Sequence, residues 1–326
     1  VQAIGRIQLT WPDGEHIGAT VALQTLTPQN ALPFFSEGTV ASAGNTPMAV
    51  VAGDLNADHR IDLVVVNGDT KNVSVLLATG NGGFQPALTS VVGSGMRAGA
   101  LADVNNDGKL DLVLMDFFSS RVNVLFGQGN GTFANMQDIA VGTAPTSIAL
   151  ADVDGDSNVD IITANGLSSN LSVLLNQGNG NFPVPVTLTV GNNPVAVAVG
   201  DLDMDGKADI VAANNTDGTI SVRLGIGKGT FQPKQDYSAG QWPVAIAILK
   251  LNADSWPDLA VASSGGDIVS LFFNTGKGDG SFIVGPSYSV GKNPCAPDFT
   301  ASKRSASSSE AVSTTTAICG ISAVIR

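Results

Sequence analysis

The nine residues 152–160, DVDGDSNVD, decide the fold because the same acidic pattern returns at a constant interval along the chain. Related stretches begin at residues 54, 103, 201 and 250, so consecutive starts are always 49 residues apart. A second marker keeps the same step, since a phenylalanine closes each GNGxF or GKGTF segment. These residues are Phe84, Phe133, Phe182 and Phe231. A fixed period of this length indicates an array of structural repeats.

Each repeat contains four short segments that predict β-strands. In the third repeat they are TSIALAD, VDIITAN, LSVLLNQ and VPVTLTV, separated by the acidic stretch, GLSSN and GNGNFP. The separators contain the Gly, Asn, Asp or Pro that turns require. The first two segments are almost continuously apolar, as in strands covered on both faces, whereas the last alternates like an outer edge. A repeated four-stranded unit of this size predicts an all-β fold, a β-propeller of stacked blades.

Composition excludes several classes of partner. The 326 residues include 28 Asp and Glu against 16 Lys and Arg, and the formal net charge is −12. No cluster of basic residues suits a phosphate backbone, so we expect no nucleic acid partner. No apolar run approaches the ~20 residues that cross a bilayer, so we expect no membrane insertion. The 43% hydrophobic residues are ample for a buried core, which predicts a soluble, folded protein.

The acidic stretches also predict metal sites. Calcium takes six to eight oxygen ligands, and side chains at alternating loop positions can converge on one ion. Four stretches carry such oxygens at positions 1, 3, 5 and 9, and a cation there would relieve their mutual repulsion. The alternative is a solvated loop held by Asx hydrogen bonds. The predicted ligands are Asp54, Asn56, Asp58 and Asp62; Asp103, Asn105, Asp107 and Asp111; Asp152, Asp154, Asp156 and Asp160; and Asp201, Asp203, Asp205 and Asp209.

Departures from the pattern predict differences between the loops. The first loop has His59 where glycine is expected, which predicts strain if that position needs a positive φ. The third loop carries its glycine two positions early, which we expect to be tolerated. The fifth has Lys250 at position 1 and Trp256 at position 7. It predicts a blade without calcium, in which the Lys250 ammonium pairs with Asp254 or Asp258.

The run D-x-D/N-x-D/N-G-x-x-D, in blades that also contain GNGTF, resembles the FG-GAP or VCBS repeat family. That family includes the propeller of integrin α subunits and many secreted bacterial proteins. The resemblance covers residues 47–291 and implies that each nine-residue loop joins two strands and binds calcium, with up to four ions in all. By analogy with calcium loops, the backbone carbonyls at position 7 add a further ligand; they belong to Arg60, Lys109, Asn158 and Lys207.

The repeat register divides the chain, which we expect to be a single propeller domain. Five full repeats occupy residues 47–293, preceded by a partial or divergent blade in 1–46 and followed by a divergent closing segment in 294–326. The flanks together exceed one blade but not two, which favours seven blades, with six as the alternative. Cys295 and Cys319 both lie in the closing segment, either as one disulfide or as two separate thiols.

The loops between the second and third strands vary between repeats, as ligand-binding loops on a repeated scaffold do. Asp116, Phe117, Phe118 and Arg121 stand out there, because adjacent aromatics beside an acid and a base suit stacking on a sugar or a partner side chain. The alternative is that both rings are packing residues. We therefore expect a calcium-stabilised recognition or adhesion module for glycan or protein ligands, extracellular or at the cell surface.

An enzyme is the alternative function. A secreted carbohydrate-active lyase or hydrolase would use the axial face of the propeller, and an esterase would use Ser157 in GDSN with His16 or His59 as base. The chain has only two His and two Tyr, and no G-x-S-x-G elbow. The sequence therefore predicts no catalytic residue, and binding is the preferred function.

Overall fold

The computed structural model describes residues 43–292 except 69 and 94, together with 7–10, 16–19 and 294. The side chain of Asn135 and those of the two N-terminal segments are outside this description. Cys295 and Cys319, and most of the predicted terminal blade and closing segment, also lie outside the described residues. The described part contains strands, turns and bends and no helix, and so no helix that could span a membrane.

Within residues 43–292, five four-stranded antiparallel sheets follow one another, and each forms a meander in sequence order. A short hairpin, β1 (Ile7–Thr10) with β2 (His16–Ala19), precedes them. The sheets comprise β3 (Pro47–Gly53), β4 (Asp62–Asn67), β5 (Asn72–Leu76) and β6 (Leu88–Val91); β7 (Met96–Ala102), β8 (Asp111–Asp116), β9 (Arg121–Gly127) and β10 (Phe133–Ala140); β11 (Pro145–Ala151), β12 (Asp160–Asn165), β13 (Asn170–Leu174) and β14 (Val186–Thr189); β15 (Pro194–Gly200), β16 (Asp209–Asn214), β17 (Thr219–Arg223) and β20 (Gln235–Ser238); and β21 (Pro243–Leu249), β22 (Asp258–Ser263), β23 (Ile268–Asn274) and β24 (Phe282–Ser289). Between β17 and β20, β18 (Gly225–Gly227) and β19 (Thr230–Phe231) form a separate two-stranded hairpin.

The sequence prediction of an all-β propeller with a 49-residue repeat is confirmed. Burial decreases from the second strand of each blade to the fourth, as the apolar pattern indicates. Every residue of the second strands is buried, from β4 to β22. The fourth strands are largely exposed, and Val91 at the end of β6 is 84% exposed. Buried strands with continuous apolar runs therefore form the interior of each blade, and alternating strands form its outer edge.

Blades are held together by apolar clusters that lie between them. Val113 and Met115 of the second blade pack with Ile148 and Ile161 of the third in one cluster of buried side chains. The first strands of successive blades also pack side by side, as β11 and β15 do. The Thr146 hydroxyl on β11 donates to the Pro194 carbonyl of β15, at 2.7 Å. One blade cannot bury both faces by itself, so the stability of each depends on its neighbours.

The meander places the loops on two opposite faces of the propeller. Loops 54–61, 103–110, 152–159, 201–208 and 250–257 join first to second strands and lie on what we term the acidic face. The second-to-third connections lie on the rim face; their described residues are 68, 70 and 71 in the first blade, and 117–120, 166–169, 215–218 and 264–267 in the others. Because consecutive strands are antiparallel, the third-to-fourth connections return to the acidic face and the connections between blades return to the rim face.

Candidate functional site

The acidic loops fold around their own carboxylates. In the third loop, Asp152 accepts hydrogen bonds from the Gly155 and Ser157 amides, at 2.7 and 2.8 Å. Asp156 accepts from the Asn158 amide at 2.8 Å. Equivalent bonds recur in the other loops, for example from the Gly206 amide to Asp201 at 2.9 Å. The Asx hydrogen bonds of the solvated-loop alternative are thus present, and they hold the carboxylates in one place.

The aspartate at position 9 has a different role from the others. It is the first residue of the second strand, fully buried, and both of its oxygens accept backbone hydrogen bonds. In the third blade Asp160 accepts from the Val153 amide at 2.8 Å and from the Asn176 amide at 2.7 Å. It therefore ties the acidic loop to the end of the third strand. All five blades repeat this pair of bonds, through Asp62, Asp111, Asp160, Asp209 and Asp258.

Two loops bring three carboxylates to the spacing that one cation requires. Oxygens of Asp152, Asp154 and Asp156 lie within 4.8 Å of one another. Oxygens of Asp201, Asp203 and Asp209 do the same in the fourth loop. Oxygens bound to one calcium at 2.3–2.6 Å cannot be farther apart than about 5 Å. The donors are all oxygen, which suits a hard divalent cation. The third and fourth loops therefore fit a metal ion of this class.

Side chains at position 7 compete for the carboxylate at position 5. The Arg60 guanidinium lies 2.5 Å from Asp58, the Lys109 ammonium lies 3.3 Å from Asp107, and Lys207 pairs with Asp205. In the third loop, Asn158 donates to Asp156 at 2.7 Å instead. From the sequence, only a backbone carbonyl role was expected for these four position-7 residues. A cation entering such a loop must share or displace these side chains, and in the third loop it displaces a neutral amide.

Backbone conformation explains the glycines of the loops. Position 6 has a positive φ in all four, and His59 adopts +62° where Gly108 and Gly206 adopt +82° and +83°. Position 4 is also left-handed, and there Gly155 at +84° is the residue best suited to it. A Cβ added at Gly108, Gly155 or Gly206 would meet no atom within 4 Å, so conformation alone favours glycine. The expectation of a strained His59 is supported, and the early glycine of the third loop is accommodated.

The fifth loop differs from its prediction. Lys250 is exposed, and within the described residues it forms no ion pair with Asp254 or Asp258. Asp258 uses both oxygens on the Leu251 and Asn274 amides, at 2.8 and 2.9 Å. The predicted ammonium pairing is therefore wrong, because the buried carboxylate already has backbone partners and the lysine remains in solvent.

Burial raises the pKa values of two position-9 carboxyls to about 7. For Asp160 and Asp209 desolvation is the largest cause, opposed by the two backbone amides that each accepts from. Repulsion from the carboxylates at positions 1 and 3 of the same loop adds to the increase. Protonation of these groups and binding of a cation to the loop are therefore alternative ways of relieving the same unfavourable charge.

The rim face holds the predicted ligand residues. Asp116 is buried and accepts the Phe118 and Ser119 amides, both at 3.0 Å, which fixes the turn. The Phe117 and Phe118 rings meet edge to face with centroids 5.4 Å apart. Arg121 pairs with Asp116 only through the strand register, since no ion pair joins them within the described residues. The structure thus brings together three of the four predicted residues.

A further member, Arg97, was not predicted from the sequence. Its guanidinium lies 4.1 Å from the Phe117 ring centroid and 5.4 Å from that of Phe118. The signal that would have revealed it is the repeat itself. Residues one or more periods away from Arg97 are uncharged: Met48, Thr146, Val195 and Val244. We call Arg97, Phe117 and Phe118 the rim cluster.

The residues of the esterase alternative are not assembled. Ser157 and His59 both occupy position 6 of acidic loops, in the third and first blades, with the second blade between them. His59 is almost fully exposed, with its Nδ1 4.0 Å from an oxygen of Asp54. The side chain of His16 is outside the described residues. A nucleophile and its base must be within hydrogen-bonding reach, which this arrangement does not provide for Ser157 and His59.

Comparison with known families identifies the repeat. The model of the FG-GAP-like repeat matches residues 54–114, 103–163, 152–212 and 201–261, which together span more than half of the chain. No curated protein matches the sequence.

Solved structures share the fold at low sequence identity. A protein from Lactobacillus plantarum aligns over 87% of this chain and 80% of its own, with 16% identity and a TM-score of 0.60. The periplasmic gluconolactonase of Pseudomonas aeruginosa aligns over 74% and 70%, with 18% identity and a TM-score of 0.56. An Agrocybe aegerita lectin that recognises non-reducing terminal N-acetylglucosamine aligns over 74%, with 23% identity and a TM-score of 0.49. The chain spans 65% of that lectin.

Removal of one position-9 carboxyl should change the pH dependence of stability. The pKa of Asp209 rises from 3.8 to about 7 in the folded protein, so its contribution is complete below pH ~4 and is lost as the pH rises through 7. In chelator, the melting midpoint of the wild type should exceed that of Asp209→Asn most at pH 4. The difference should narrow by pH 8, as measured by circular dichroism. A difference that stays constant from pH 4 to 8 would contradict the assignment.

Proposed function

Because the chain belongs to the FG-GAP-like repeat family, we propose that it is a calcium-stabilised β-propeller that recognises a glycan or protein ligand. Two observations on separate faces support the proposal. The acidic face offers carboxylate loops that fit a hard cation. The rim face offers an exposed aromatic cluster in one blade, and this cluster is the observation that carries the recognition function.

Calcium is the cation that the donor chemistry favours. Asp152, Asp154 and Asp156 would hold it in the third loop, and Asp201, Asp203 and Asp209 in the fourth. The first two loops offer Asn56 and Asn105 at position 3, so they have fewer carboxylates and weaker expected affinity. When bound, calcium would neutralise the clustered charge. The residues of the loop would then orient the first and second strands with less mutual repulsion.

The proposed location is extracellular or at the cell surface. Calcium loops of extracellular modules have dissociation constants of roughly 10⁻⁴ to 10⁻³ M, which suits an environment where calcium is plentiful. Four divalent ions would add eight positive charges and reduce the formal net charge of −12 accordingly. A scaffold that uses such sites gains stability by mass action outside the cell.

The terminal segments complete the proposed ring. Leu63, Val65 and Leu76 form an apolar cluster on the first blade, and Ala260 and Ala262 belong to another on the fifth. In the interior blades the equivalent residues pack against a neighbouring blade. We therefore retain the proposal that residues 1–46 and 294–326 supply the remaining blades, with seven favoured over six.

The rim face is suited to recognition because its loops vary while the strands repeat. Phe118, Leu167 and Trp242 all project from rim-face loops or the connections between blades, and all three are exposed. Phe118 alone has a second ring and a guanidinium against it. Exposed aromatic and arginine side chains are typical of binding hot spots. A recognition role accounts for this arrangement better than packing does, because Phe118 is 72% exposed.

Calcium should raise the melting temperature. For one site with a dissociation constant of ~10⁻⁴ M, calcium at 100 times that concentration contributes about 2.7 kcal/mol to folded-state stability. Differential scanning calorimetry in calcium and in chelator measures this, and magnesium at the same concentration should have a smaller effect. The variant Asp152→Asn should reduce the increase and Asp254→Asn, in the fifth loop, should not. An unchanged midpoint in chelator would contradict the metal assignment.

Ligand recognition should depend on the rim face. The labelled protein in millimolar calcium should bind selected members of a combined glycan and peptide array, and Phe118→Ala should abolish that binding without lowering the melting temperature. The matched control is Leu167→Ala, which removes an equally exposed side chain from the same loop position of the next blade. Binding that survives Phe118→Ala would place recognition elsewhere and overturn the assignment of the rim cluster.

A further inference from the structure

The rim cluster combines a flat apolar surface with an available positive charge. The Arg97 guanidinium is 4.1 Å from the Phe117 ring centroid, and Phe117 in turn meets Phe118 edge to face. Phe118 is 72% exposed, so its ring projects from the turn instead of filling the core. The Asp116 carboxylate accepts the Phe118 and Ser119 amides, both at 3.0 Å, and so fixes the backbone of the turn from which the ring projects. The backbone that carries the two rings is thus ordered without a ligand.

The Arg97 guanidinium has no hydrogen-bond partner and no ion-pair partner among the residues described in 43–292. Its known contacts are with the faces of the two rings. A guanidinium that stacks on an aromatic ring keeps its in-plane N–H groups free, and these match a carboxylate in a bidentate arrangement. Stacking also limits the rotamers of the long side chain, which reduces the entropy lost on binding.

Among the described residues, no carboxylate forms an ion pair with Arg97. Asp116 is buried with one oxygen accepting two amides, and it pairs with neither Arg97 nor Arg121. The chain as a whole carries a formal charge of −12. The Arg97 guanidinium beside an exposed ring therefore forms a local positive site on an acidic protein, which attracts an anionic group.

We propose that the rim cluster binds an acidic saccharide, a pyranose that carries a carboxylate. The carboxylate would accept from Arg97 and the apolar face of the sugar ring would stack on Phe118. This inference rests on the recognition function proposed above and specifies its ligand class.

The shape of the cluster favours a saccharide over an acidic peptide. Peptide anchors draw most of their affinity from apolar side chains that are fully desolvated in a pocket. Phe118 offers the face of one projecting ring, which can cover a flat, rigid ligand but cannot enclose a flexible side chain. A pyranose presents C–H groups on one side and hydroxyls on the other, so it can stack and remain hydrated at once.

The other described blades lack the residues of the rim cluster. At the position of Phe117 the other blades have Gly68, Gly166, Asn215 and Ser264, and at the position of Arg97 they have no charged residue. Added Cβ atoms at Gly68 and Gly166 would contact Met48 and Thr146, so the same two positions face each other in three blades. Only the second of the described blades carries the guanidinium and the rings, which predicts one site per chain.

The test uses the full chain in calcium and a matched pair of ligands. A short oligogalacturonate provides carboxylate-bearing pyranoses, and its methyl ester keeps the rings but removes the charge. Isothermal titration should give binding of the acid with a stoichiometry of one and at least tenfold weaker binding of the ester. Affinity for the acid should fall with added salt.

Substitutions that install the equivalent residues of other blades distinguish the contribution of charge to binding from that of stacking. Arg97→Met, which installs the first-blade residue, should remove the preference for the acid over the ester, while Arg97→Lys should restore part of it. Phe118→Leu, the third-blade residue, should weaken both ligands equally. Leu167→Ala is the control and should change neither. Unchanged melting curves would show that each variant is folded.

The outcomes distinguish the inference from the broader function. Equal binding of acid and ester, or acid binding that survives Arg97→Met, would overturn the acidic saccharide assignment. If Phe118→Ala abolished the binding of neutral glycans on the array, the recognition function proposed above would still hold. A Glu-rich peptide that binds in place of oligogalacturonate would also overturn the saccharide assignment. Failure of glycans and peptides alike to bind would overturn both.

Discussion

A buried aspartate at the start of each second strand is the interaction on which the blades depend. In all five described blades this residue accepts one backbone amide from the acidic loop and one from the end of the third strand. A carboxylate can accept both because it has no donor of its own when ionised. It therefore closes the loop and joins three strands at one point, and for Asp62, Asp111, Asp160 and Asp209 burial raises the pKa of the carboxyl. Protons, cationic side chains or a metal would relieve the repulsion among the further carboxylates around it.

The hydrogen bonds of the buried aspartate also make the two faces of the propeller differ in how much their loops vary. On the acidic face the repeat is strict, because hydrogen-bonding geometry and positive φ values restrict which residues are accepted. On the rim face the loops need only turn, so residues as different as Gly166 and Phe117 occupy the same position. Substitutions in the rim-face loops are therefore tolerated. The side chains suited to recognition lie on this face, opposite the one that holds the carboxylates.

The sequence predicted the strands, the meander and the placement of the acidic loops, because the 49-residue period repeats every local signal several times. It did not predict that Asp258 keeps its backbone hydrogen bonds in a loop that has Lys250 at position 1. A pattern of ligand types shows which oxygens are present but not which amides they already satisfy. Arg97 was missed for a related reason, because it lies 20 residues before Phe117 in sequence and meets that ring only through the pairing of β7 with β8.

Urea unfolding of Asp258→Asn in chelator measures the contribution of the buried carboxylate alone. The fifth loop has no acidic residue at position 1, so the effect must be independent of calcium. Asparagine keeps the shape but turns an amide donor toward a backbone donor, which should lower the free energy of unfolding by about 1–3 kcal/mol. The control Asp254→Asn, at an exposed position of the same loop, should change it by less than about 0.5 kcal/mol. Equal stability of the two variants would contradict the claim that the buried carboxylate holds the blade together.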